Sequence, residues 1–169
     1  RTGVIVLQHH REQLHPIGTA RIARLGLQQV SVNVAQRSQA LACQIKIPAN
    51  TGLLYPGPDS LQLEDLEPRE FPDHLIVIDG TWMQAKQIFR ANDWLHSLPR
   101  YLLTPQVPSQ YRIRRQPKVQ CLSTIEALVQ ALRVIEPETD GLDQLIQVFS
   151  LMIDRQIECR DRKLAAASA

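Results

Sequence analysis

No stretch of the 169 residues approaches the roughly 20 apolar residues that a helical membrane span needs, and the N-terminus has no signal-peptide pattern. Cysteine is scarce. Cys43, Cys121 and Cys159 are odd in number and far apart, with no C-x-x-C pair, so neither a zinc ribbon nor a disulfide framework can be read. Free, mostly buried thiols in a reducing cytoplasm suit that count. Excess charge is missing too. The net charge is only +2, so no global basic field announces nucleic acid, and any RNA contact must come from a local patch. There is no internal repeat. What is present, 44% apolar and 21% charged residues, is ordinary for a globular chain. It fits one domain over residues 1–163, with residues 164–169 as a frayed or disordered small-residue tail. Arg1, not methionine, stands first, so the chain reads as cut from something longer.

The chain is organised around residues 74–86. Leu75 to Ile78 is a short apolar, β-branched run, as expected of a central strand covered on both faces. Thr81-Trp82-Met83-Gln84 has the spacing of a capping box, so a helix starts there. Trp82, Ala85 and Phe89 fall on one face of that helix and can pack back on the sheet. Asp79 is the odd residue. It is either a loop carboxylate bonded to nearby N–H groups, or a functional group at the C-terminal edge of a strand, where open α/β sheets place their ligands.

Other segments fall into place around it. Residues 3–8 read as a first buried strand ending in the polar cluster His9-His10-Arg11-Glu12. Two adjacent histidines diverge and no carboxylate-rich group is near, so no metal is expected. Residues 17–25 have a helical pattern, with Thr19 as a candidate N-cap and Gly26 as a C-cap. Residues 29–34 alternate as a strand. Residues 35–47 read as helical, and 51–55 as a strand stopped by Pro56-Gly57. Residues 59–71 are acidic and read as a solvated helix and loop, which sends a polyanion to another side. Residues 100–105 read as a strand. Next comes the densest positive stretch, Tyr111-Arg112-Ile113-Arg114-Arg115-Gln116-Pro117-Lys118, which is either a solvated loop or a set of phosphate and base contacts. Ser123-x-x-Glu126 is a second capping box, ahead of an apolar-periodic helix. Leu142, Leu145, Ile146, Phe149, Ile153 and Ile157 mark one face of a long final helix. That face reads as core packing, with a dimer seam as the alternative and a monomer favoured.

Asp79-Gly80-Thr81-Trp82 resembles the D-x-T-W signature of the DTW-domain proteins. These are tRNA-uridine aminocarboxypropyltransferases related to the SPOUT class of knotted, S-adenosylmethionine-binding RNA enzymes. Further segments are similar to the family's and follow its order. They are residues 6–12 (with His10 where the family has proline), His15-Pro16-x-x-Thr19-Ala20, Leu54-Tyr55-Pro56, the Tyr111-Arg112 step, and Ser123-Thr124-Ile125-Glu126-Ala127. Family members often begin with a cysteine-rich, zinc-ribbon-like segment, and this chain starts just after where it would end.

The resemblance implies an α/β fold, a mostly parallel sheet flanked by helices, SPOUT-like, with a C-terminal trefoil knot. It implies transfer of the 3-amino-3-carboxypropyl group of S-adenosylmethionine to N3 of a tRNA uridine, in the cytoplasm, with methylthioadenosine leaving. Asp79 is the candidate base, with Thr81 and Trp82 beside it. Leu54, Tyr55, Pro56, Asp79, Leu103, Ser123, Thr124 and Glu126 are the expected cofactor contacts. His9, His10, Arg11, Tyr111, Arg112, Arg114, Arg115 and Lys118 are the expected RNA contacts. A SPOUT-type RNA methyltransferase and a non-catalytic RNA-binding module are the alternatives.

Overall fold

β1 (Gly3–His9) is buried at every residue and lies inside the sheet. The computed structural model describes residues 1–16, 18–105, 107–113 and 122–167, with the backbone alone at Leu164 and Ala167. β1 pairs in parallel with β2 (Val30–Ala35) on one side and β5 (His74–Asp79) on the other. With β3 (Thr51–Leu54), β4 (Leu61–Gln62) and β6 (Arg100–Leu102) the order is β2-β1-β5-β3-β6-β4, and every pair is parallel. Parallel strands need crossovers, and helices supply several of them. This is why β1 and β5 are continuous Val/Ile/Leu runs rather than alternating ones.

Side-chain parity divides the core. Val4, Val6 and Val77 point to the face covered by α1 (Thr19–Gly26), α3 (Thr124–Ile135) and α4 (Leu142–Ala167). Ile5, Leu7 and Ile76 point to the other face, under Ile88 of α2 (Trp82–Ala91) and Leu95 of the turn Asp93–Ser97. A third cluster joins Leu63, Leu75, Tyr101 and Ala131. α4 buries Leu142, Leu145, Phe149 and Ile153, with Ile146 and Ile157 packed partly against them, while Val148 and Leu151 stay exposed. The helix continues to Ala167, into the stretch read from sequence as a frayed tail.

The topology fixes where a site can form. From β1 the chain runs through α1 to β2 on one side. From β5 it runs through α2 on the opposite face to β6 on the other side. The crossovers diverge between β1 and β5, so a crevice opens beyond those two strands' C-terminal ends. Gln8 and Asp79 are register partners at that point.

Four local expectations differ from what forms, one of them Gly26, which is the last residue of α1 while Leu27 holds the C-cap position. Residues 36–50 are not a helix: after the short turn Arg37–Gln39 they run irregularly across the α2 face. Leu41, Cys43 and Ile45 pack there at every second residue, the period of extended chain. Residues 59–71 hold only a two-residue strand and two 3-10 turns. Thr19 is the first residue of α1 rather than its cap, because Gly18 occupies the cap position.

Candidate functional site

The D-x-T-W stretch folds as its spacing predicts. Thr81 caps α2: its Oγ1 accepts the Gln84 N–H at 3.2 Å, and Gln84 Oε1 accepts the Thr81 N–H at 2.6 Å. Gly80 leaves room for this exchange, since a Cβ there would sit 3.0 Å from Gln84 Cβ. With Thr81 satisfied locally, Asp79 is directed by strand parity alone, onto the α1/α3 face.

There its carboxylate is enclosed, with the residue only 4% exposed. Oδ2 accepts from Gln8 Nε2 at 2.9 Å, and Oδ1 accepts from Thr19 Oγ1 and Thr124 Oγ1, each at 2.7 Å. Thr19 and Thr124 are the first residues of α1 and α3. Two helix N-termini, each carrying partial positive charge, therefore converge on one carboxylate. The Thr19 hydroxyl turns inward because a charged acceptor makes a stronger bond than a neutral one. Sequence alone marked Asp79 and Thr124 but not their link. Gln8, a polar residue inside a buried run, was the one available signal for the third partner.

The second capping box also forms, and it is extended. Glu126 accepts from Ser123 N at 2.8 Å and Ser123 Oγ at 2.6 Å. It also accepts from Ser109 Oγ and from Gln110 N, each at 2.6 Å. Its carboxylate thus fastens the loop after β6 to the start of α3, as part of the framework of this edge. Leu54 and Leu103 are half-buried in the same apolar cluster at the ends of β3 and β6. Tyr55 lies on the opposite face, stacked on Phe89 with ring centroids 4.5 Å apart, and Pro56 is exposed. The expected cofactor contacts therefore divide between Leu54, Leu103, Ser123, Thr124 and Glu126 around α3, and Tyr55 and Pro56 beyond β3.

The expected RNA contacts divide as well. Tyr111 is buried edge-on against Phe149, 5.4 Å between centroids, which is core packing rather than an open stacking surface. Arg112 pairs with Asp154 on α4. Arg114, Arg115 and Lys118 lie outside the described residues. His9 is buried, and its Nδ1 accepts the Arg11 N–H at 3.3 Å. Burial, then the neighbouring His10 and Arg11, lowers its pKa below the ordinary histidine value, against an opposing pull from Glu12. His9 is thus an uncharged support for its turn. His10 is half-buried and Arg11 is exposed at the same edge. Trp82, expected to pack on the sheet, is 47% exposed at the start of α2, whereas Ala85 is buried and Phe89 partly so.

Asn92 had no sequence signal beyond following a helix. Buried to 2% exposure, it receives the Cys43 N–H on Oδ1 at 2.6 Å, and its Nδ2 donates to Leu41 O and Ile88 O. It ties the irregular 41–43 segment to the end of α2. Among the described residues no group of His, Cys, Asp or Glu side chains is arranged to hold a metal, and no helix is long and apolar enough to cross a membrane.

The DTW domain model matches residues 1–157. The chain is 33% identical to tRNA-uridine aminocarboxypropyltransferase 2 of Drosophila melanogaster, over 92% of this chain and 64% of the relative. It is 32% identical to tRNA-uridine aminocarboxypropyltransferase 2 of Mus musculus, over 93% and 55% respectively. It is 26% identical to tRNA-uridine aminocarboxypropyltransferase A of Arabidopsis thaliana, over 90% and 70%. The chain thus spans under two thirds of the fly and mouse relatives. No solved structure matches it. With the domain model covering nearly all of the chain and Asp79-Gly80-Thr81-Trp82 standing at the switch point of its sheet, this chain belongs to the DTW domain family.

Proposed function

We propose that this chain transfers the 3-amino-3-carboxypropyl group of S-adenosylmethionine to N3 of a uridine in tRNA, leaving methylthioadenosine. The observation that carries the reading is the match of over 90% of the chain to relatives named for that activity. The site's placement supports it: a carboxylate at the switch point, beside an apolar wall and a helix start.

The residues present fit such a donor. Leu54 and Leu103 offer half-buried apolar surface for an adenine ring. Ser123 and Thr124 open α3 nearby, and the Thr124 and Ile125 N–H groups have no hydrogen-bond partner among the described residues. A first helical turn with free N–H groups suits the donor's carboxylate. When bound, S-adenosylmethionine supplies an electrophilic carbon next to its sulfonium. The new bond joins that carbon to uracil N3, the carbon–sulfur bond breaks, and the N3 proton must go to a base. Asp79 is the carboxylate we assign to it. Its oxygens accept three hydrogen bonds, two on Oδ1 and one on Oδ2, which leaves a lone pair on Oδ2 for the proton. Thr81 holds the loop and Trp82 walls the uridine. A SPOUT-like fold with a C-terminal trefoil knot and a cytoplasmic setting belong to the same reading. The all-parallel sheet supports the former, and the free thiols of Cys43 and Cys159 the latter.

The test is incubation with labelled S-adenosylmethionine and unmodified tRNA, followed by nucleoside mass analysis. Aminocarboxypropyluridine and methylthioadenosine are expected. S-adenosylhomocysteine as the by-product would instead make the chain a methyltransferase, and absence of cofactor binding by calorimetry would make it a binding module. For the base, Asp79→Asn is expected to abolish turnover while cofactor binding persists; full turnover in that variant sinks the assignment.

A further inference from the structure

A second feature lies at the same sheet edge, on the opposite face. β1 ends in the turn His10–Glu12, and β2 ends in the turn Arg37–Gln39. Between them and α2 lies a cleft of about 390 Å³, lined by His9, His10, Arg11, Arg37, Ala40, Leu41 and Gln87. Among the described residues no carboxylate lines it. Arg100, Arg112, Arg133, Arg155, Arg160 and Arg162 each form a salt bridge, but among the described residues neither Arg11 nor Arg37 does. Two guanidinium groups from neighbouring strand ends thus meet one concavity without an internal partner.

The cleft's floor is held in an unfavourable backbone state. Ala40 and Leu41 are consecutive non-glycine residues with φ of 50° and 66°. Each left-handed residue costs on the order of 1 kcal/mol, so the surroundings must enforce the turn. They do: Ala40 N–H donates to Arg37 O, Leu41 N–H to Gln36 O, and Leu41 O accepts from buried Asn92. The turn that presents Arg37 is therefore fixed rather than loose. This differs from an arginine on a solvated loop, and it lowers the ordering cost of a ligand.

We propose that this cleft is a phosphodiester subsite: Arg11 and Arg37, with His10 and Gln87 at its wall, grip a backbone phosphate of the RNA strand next to the modified nucleotide. The inference rests on the tRNA reading above. Arginine is the side chain suited to phosphate, through paired N–H donors. A free anion would use the same groups; the tRNA reading favours a strand, whose phosphates a cationic groove holds in succession.

The experiment measures tRNA affinity against salt for the chain and its variants. Each lost phosphate contact lowers the slope of log affinity against log salt by about one. Arg11→Gln with Arg37→Gln is expected to flatten the slope by about two, with melting temperature unchanged because both side chains are exposed. Arg37→Lys keeps the slope, and so does Arg69→Gln in the turn that precedes β5. An unchanged slope in the double variant overturns the subsite. If the unmodified chain itself binds tRNA with no salt dependence, the tRNA reading falls, and the subsite falls with it. Inorganic phosphate is titrated in parallel. Saturable binding that is lost in Arg37→Gln, with the tRNA slope untouched, makes the cleft a free-anion site and overturns the proposal.

Discussion

The C-terminal edge of the sheet has two sides, and they handle polar groups in opposite ways. On the α1/α3 side, Asp79, Gln8, Thr19 and Thr124 satisfy one another and are largely buried. On the α2 side, His10, Arg11 and Arg37 line an open cleft, and among the described residues no acid pairs with the two arginines. One-residue alternation along β1 separates the two sides: Gln8 goes to the first and His9 to the second. A single strand end thus serves two purposes, a closed network that fixes geometry and an open surface free to meet a ligand.

The contrast can be broken on its closed side first. Asp79→Ala leaves two buried donors, Gln8 and Thr19, and the part-buried Thr124 hydroxyl without their acceptor, and each buried orphan costs on the order of 1–3 kcal/mol. We expect a loss of about 3 kcal/mol or more in urea unfolding. A near-neutral result would mean that water replaces the carboxylate and that the network is not closed.

The second test asks what holds the open side. Asn92→Ala removes the acceptor of the Cys43 N–H and the donor to Leu41 O and Ile88 O, for about 2 kcal/mol. The same change frees the strained Ala40-Leu41 turn, so hydrogen exchange at residues 40–43 should accelerate beyond the global loss. Uniform acceleration would show that Asn92 acts only as a helix-end cap.

The smallest effect concerns pH. The folded-state pKa of His9 lies below its unfolded value of 6.5, chiefly through burial. The unfolded chain therefore binds the proton first. The stability linked to this group is complete above about pH 6.5 and declines as pH falls toward the folded value. His9→Gln should flatten that limb of a thermal-stability profile between pH 7 and pH 5, while any acid limb set by carboxylates remains.

Much of the framework was legible because its signals are local. Both capping boxes, the buried runs of β1 and β5, and the apolar face of α4 need only neighbours in sequence to be read. Residues 35–47 misled because Leu41 and Ile45, four apart, fit a helical face when no partner surface is known, although Cys43 between them does not. Their true period appears only against Ile88 and Leu95. Thr19 was read as a cap for a related reason: a threonine near a helix start has a local job by default, and the acceptor that outcompetes it lies 60 residues away. Arg37 carried no signal at all, since its meaning comes from standing beside Arg11 across a parallel pair. In the tyrosine-and-arginine segment, sequence did not reveal the partners of its described part, where Tyr111 packs on Phe149 and Arg112 pairs with Asp154.

The hydrogen bonds to Asp79 bridge sequence separations of 71, 60 and 45 residues. Each therefore closes a long loop, and the entropy of closure is met before the contact rewards it. A growing chain that has released β1, α1 and β5 can join two donors to the carboxylate. The third does not exist until Thr124 emerges and α3 docks. Assembly of this centre is thus timed by the last third of the polypeptide. A chain halted before that point would hold a half-dressed acid at its sheet edge and would lack the two helices, α3 and α4, that cover that face.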